Sequence, residues 1–140
     1  MKKITCLACL SAVILTGCGS QQEAETKLVR GCEAAVKVML NKEDYDRQLA
    51  AVTGQKFGMS DGFRLVTIDA TTKNKEFGFE NEESFQCKFE ESRSFGYLNW
   101  KAALVQVKID DAVFGSEGGQ LYGSVEDQMA LTAAVEAAMR

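Results

Sequence analysis

The chain has 140 residues, 46% of them hydrophobic, with 16 basic and 20 acidic side chains, enough for one ordinary domain and too few for two. It holds no histidine and no proline, which excludes a His-dependent triad, an imidazole general base and any His-ligated zinc or haem site. A formal charge of −4, with no basic run beyond Lys2-Lys3, argues against nucleic acid as a partner.

Met1-Lys2-Lys3 is basic, Ile4 to Leu15 is nearly all apolar or small, and Leu15-Thr16-Gly17-Cys18 closes the run, the pattern of a secretory signal peptide over residues 1–17. A dozen apolar residues in a helix span roughly 18 Å, well short of the ~30 Å hydrocarbon layer, so this segment is no comfortable membrane span. Leu15-Thr16-Gly17-Cys18 resembles the lipobox of bacterial lipoprotein precursors. The resemblance implies diacylglyceryl transfer to the Cys18 thiol, cleavage before it, and palmitate-type chains on the new N-terminus. One acyl chain holds only marginally, at about 0.8 kcal/mol per buried CH₂, and the two or three chains that the resemblance implies hold durably. With Gly19 rather than Asp after the cysteine, it also implies the outer membrane, with the domain in the periplasm. Residues 18–23 then form a lipidated tether and 24–140 a single domain, and the processed chain carries 14 basic against 20 acidic residues once Lys2 and Lys3 are removed.

Cys6-Leu7-Ala8-Cys9 has the spacing of a dithiol oxidoreductase but lies in the segment to be cut away, and Cys18 carries lipid. Cys32 and Cys87 remain, an even count in an oxidising compartment, for which a disulfide is expected ahead of two buried thiols or a bridge between molecules.

Leu28, Cys32, Ala35, Val36 and Met39 recur at helical spacing and predict a helix over about 24–40. Asn41 with Asp44 resembles a capping signal, and Tyr45, Leu49 and Val52 continue an apolar stripe up to Thr53-Gly54, predicting a short second helix. Ser60-Asp61-Gly62 is a turn signal, Phe63 to Ala70 reads as a strand, and Thr71 to Lys75 breaks it. Glu83 to Glu91 alternates, with Phe85, Cys87 and Phe89 on one face, and gives the clearest strand. From Trp100 to Asp110 a third strand sets Ala103, Val105, Val107 and Ile109 opposite Leu104, Gln106, Lys108 and Asp110. A glycine-rich loop over 111–123 leads to a last helix, Val125 to Arg140, with Ser124 as N-cap and Asp127 three places on. The expected fold is α+β: a small antiparallel three- to four-stranded sheet packed by an N-terminal and a C-terminal helix. Asn74-Lys75-Glu76-Phe77-Gly78 followed by Phe85-Gln86-Cys87-Lys88-Phe89 looks like a pattern of small secreted bacterial domains of unknown function, which implies a fold and no chemistry.

Glycines 115, 118, 119 and 123 lack the Gly-Lys-Ser/Thr ending of a phosphate cradle and read as a connector. Asp44 and Asp46 have calcium-like spacing, but Gln48 stands in the third ligand position, so they read as a charge cluster at a helix N-terminus. Glu80, Glu82 and Glu83, and the pair Asp110-Asp111, read as solvated loop charges. No metal site or cofactor is expected. In Phe95-Gly96-Tyr97-Leu98-Asn99-Trp100, Tyr97 and Trp100 are the candidates for partner contact if exposed, and for core packing otherwise. The expectation is a non-enzymatic, lipid-anchored envelope module that contacts another envelope protein. Exclusion of a phage or mobile element is a second reading, and a hydrolase using Asp110, Asp111 and the Glu80 cluster is a third, from another class.

Overall fold

In the computed structural model, which describes residues 18–95 and 97–140, helix α1 (Cys18–Leu40) is followed by six strands, β1 (Arg47–Ser60), β2 (Phe63–Asn74), β3 (Glu80–Ser92), β4 (Lys101–Ile109), β5 (Ala112–Glu117) and β6 (Gln120–Tyr122), and by helix α2 (Val125–Met139). The signal-peptide reading of residues 1–17 lies outside the described residues. The strands form one antiparallel sheet in sequence order, β1 to β6, and α1 and α2 pack together over one of its faces. The fold is α+β with two helices on an antiparallel sheet, as expected, but the sheet has six strands rather than three or four.

Both additional regions of strand replace other expectations. The stretch read as a short second helix is β1. Its partners on the helix-covered face of β2 are Leu49 with Thr72 and Val52 with Ala70, and the pairing skips Ala50 and Thr53. Each skipped residue is a β-bulge, which lengthens the inward repeat from two residues to three. Leu49 and Val52, spaced by the Ala50 bulge, and Tyr45 just before the strand therefore imitate helical spacing along an extended edge. Asp44 and Asp46 accordingly lie in the turn before β1, not at a helix start, and the Asp46 carbonyl accepts the Lys75 N–H at 2.7 Å. The glycine-rich stretch is the β5–β6 hairpin, closed by Gly118-Gly119, both at positive φ as a two-residue turn of this hand requires. β2 runs on through Thr71, Thr72 and Lys73 to Asn74 instead of breaking at Ala70, and α1 begins at Cys18, six residues before the expected start.

The core lies between the sheet and the helices: Leu28, Cys32, Val36, Met39 and Leu40 of α1, Val66 and Ile68 of β2, Phe85, Cys87 and Phe89 of β3, Val107 and Ile109 of β4, and Leu131 and Val135 of α2 are all buried. Gly31 lets the helices approach, since a Cβ there would stand 2.7 Å from the Met139 sulfur. Cys32 and Cys87 are joined in a disulfide, with no exposure at either residue, tying α1 to the middle of the sheet.

The two helix ends nearest the β2–β3 turn are finished by side chains. Lys75 Nζ donates to the carbonyl of Leu40 at 2.8 Å, an acceptor that the end of α1 leaves open, and to those of Lys42 at 3.1 Å and Tyr45 at 2.8 Å in the turn that follows. Asn74 Oδ1 accepts the N–H groups of Glu76 and Phe77, which shapes the turn that presents Lys75. At the start of α2, Ser124 and Asp127 exchange hydrogen bonds in a capping box, and Lys42 Nζ donates to Asp127 Oδ1 at 2.7 Å. The Lys42 bond, then the Ser124 backbone N–H, hold the Asp127 carboxyl below the usual carboxylate range.

Candidate functional site

β4 carries the bulge that builds the site. Lys88 pairs with Gln106 and the next residue, Phe89, pairs with Leu104, so Val105 is the extra residue. Below the bulge the alternation runs as the sequence suggests, with Val107 and Ile109 buried; above it the parity reverses. Leu104 and Ala102 turn inward beside the core and Ala103 turns outward, the opposite of the even alternation read from the sequence. Gly115 makes room for this kink: it pairs with Gln106 at φ 130°, and a Cβ there would meet the Val105 carbonyl oxygen at 2.1 Å.

Turning Ala102 and Leu104 inward at the start of β4 gives α2 an apolar floor that it does not fill. Trp100, Ala102 and Leu104 on one side and Leu131, Val135 and Met139 of α2 on the other line a cleft of about 540 Å³. That volume lies in the range of ordinary ligand sites, ~300 to 1,000 Å³. Lys27 of α1, Lys101, Gln128, Glu136 and Arg140 form its polar rim.

The β3–β4 connection stands beside this cleft and is organised by Glu91. Trp100 Nε1 donates to its carboxylate at 2.6 Å, Arg93 Nη2 donates at 3.2 Å, and the Arg93 guanidinium lies 4.6 Å from the centre of the Tyr97 ring. Tyr97 and Trp100 are thus half-buried and engaged, Trp100 forming part of the cleft wall. The solvent-facing side chains of this segment are instead its neighbours, Phe95 at 84% and Leu98 at 86% exposure. Phe95 also adopts φ 54°, a left-handed conformation that a bulky residue rarely takes. The sequence marks the aromatic cluster; which members point outward depends on the bonds to Glu91.

The acidic candidates go to structural positions. Asp110-Asp111 is the two-residue turn between β4 and β5, Asp110 at φ 53°. Arg47 donates to Asp110 at 2.7 Å and, through Nε, to both oxygens of Glu83, at 3.0 and 2.8 Å; Thr72 also donates to Glu83. One guanidinium thereby joins β1, β3 and the β4–β5 turn, while Glu80, Glu82 and Asp111 are exposed. Among the described residues no three Cys, Asp or Glu side chains gather in a metal-binding arrangement. No helix among the described residues is long and apolar enough to cross a membrane. No protein-family model, curated protein or solved structure matches the chain, so the site rests on its own residues.

Proposed function

We propose that the chain is a lipid-anchored, non-enzymatic envelope module, held at the outer membrane through Cys18, that binds another envelope protein in the cleft between β4 and α2. The observation that supports it best is the cleft itself: a large apolar hollow, walled by Trp100, Leu104, Leu131 and Met139 and fringed by charge, in which a partner's apolar side chains gain burial and its polar groups meet Lys101 and Glu136. The Leu15-Thr16-Gly17-Cys18 sequence supports the anchor. Site-specific photo-cross-linking in cells tests the binding surface. A reactive side chain at Thr132, exposed on the cleft rim, is expected to give a discrete protein adduct, and one at Thr67 on the uncovered face of the sheet none. Equal labelling from both positions, or none from Thr132, refutes the cleft as the partner site. Mass measurement of the mature N-terminus tests the anchor, with acylated Cys18 as the expected first residue.

A further inference from the structure

The antiparallel order puts three features at one end of the sheet: the Asp61-Gly62 turn, the β3–β4 connection and the N-terminal end of α1. Glu25 of α1 bonds Arg64 at the start of β2, at 2.8 Å, and Arg64 pairs with Phe89. From that level α1 runs seven more residues back to Cys18, about 10 Å at helical rise, and β3 runs three more to Ser92, also about 10 Å at strand rise. Lys27 of α1 and Trp100 and Lys101 at the start of β4 border one cleft, so the helix passes over this corner. The attachment point and the connection after Ser92 therefore project from the molecule to similar heights on the same side.

The most exposed side chains of the connection are apolar, Phe95 and Leu98, with Met59 of the neighbouring hairpin also exposed, beside the polar Asp61, Ser94 and Asn99. The same connection and the start of β4 carry half-buried Tyr97 and Trp100, with exposed Lys101 and with Arg93 held on Glu91. Exposed apolar side chains next to amphipathic aromatics and a cation suit a bilayer interface. A lipid-tethered domain meets one surface continuously, and this is the end it presents. Resting on the anchored reading above, we infer that Phe95 and Leu98 form a second membrane contact that dips into the lipid headgroup region and fixes the orientation of the domain on the bilayer.

The test uses the full acylated protein reconstituted in phosphatidylethanolamine–phosphatidylglycerol vesicles, with an environment-sensitive fluorophore on Leu98→Cys and, as the opposite-end control, on Phe77→Cys, whose native side chain is 73% exposed in the β2–β3 turn. The expected result is a blue shift and quenching by nitroxide-bearing lipid at position 98, with neither at 77, and loss of the position-98 signal when Phe95→Ser is added. A vesicle-bound protein whose position-98 probe stays silent toward lipid, or whose two probes respond alike, overturns the inference and leaves the anchor standing. A position-98 probe shielded from aqueous quencher yet silent toward lipid assigns the tip to a protein partner and equally overturns it. Protein that fails to float with the vesicles removes the anchor and this orientation together.

Discussion

Gly115 is the single position at which the sequence has least choice. Its left-handed backbone and the Val105 carbonyl 2.1 Å from any Cβ are two faces of one kink, so Gly115→Ala must open the β4–β5 pairing or flatten the bulge. The expected loss is about 2–4 kcal/mol in chemical denaturation, and the inward turn of Leu104 weakens with it. Lys75 works through the opposite chemistry, offering three donors to three carbonyls at the end of α1 and in the turn after it. Lys75→Met keeps the stem and removes the charge, for an expected loss of about 1–2 kcal/mol, visible as faster amide exchange in the last turn of α1. Asp127 makes stability depend on pH. Because Lys42 and Ser124 lower its folded pKa, its contribution is complete above the unfolded value near 3.9 and fades as pH falls through the lower folded value. Asp127→Asn is expected to lower stability at neutral pH and to reduce the acid sensitivity of unfolding followed by circular dichroism.

At the scale of elements, what could be read in advance depended on whether a repeat was regular. β3 alternates without interruption through Phe85, Cys87 and Phe89, and α2 opens on Ser124 with Asp127 three residues later; both are legible because one residue step has one structural meaning throughout. β1 was not, since bulges at Ala50 and Thr53 convert a strand's repeat into the spacing of a helix, and propensity at Tyr45, Leu49 and Val52 does not separate the two. β5 and β6 were hidden by glycines whose role is to turn and to admit a neighbouring carbonyl. The cleft was illegible for both reasons: Ala102 and Leu104 face inward only because Val105 is bulged, and only the tertiary placement of α2 makes that floor one side of a hollow. The Cys32–Cys87 link between α1 and β3 closes a 55-residue separation, worth about 4 kcal/mol by loop entropy. Cys32→Ala with Cys87→Ala is expected to lower the urea midpoint by the corresponding amount, and the native link, buried at both ends, to resist dithiothreitol until the domain opens.

For the whole molecule, the strictly sequential strand order makes every sheet neighbour a chain neighbour, so the sheet can grow by successive hairpins. The same order leaves two free margins, β1 and β6, whose unpaired N–H and C=O groups are templates for joining another copy. β6 offers three residues, too few for a lasting ladder, and β1 is broken at Ala50 and Thr53, which cuts its regular margin back to residues 54–60. Confined to a surface, identical chains collide far more often than in free solution, and any straight margin would seed sheet-to-sheet polymers across that surface. On the anchored reading, the irregularity that disguised β1 as a helix thus also shortens the margin through which crowded neighbours could join.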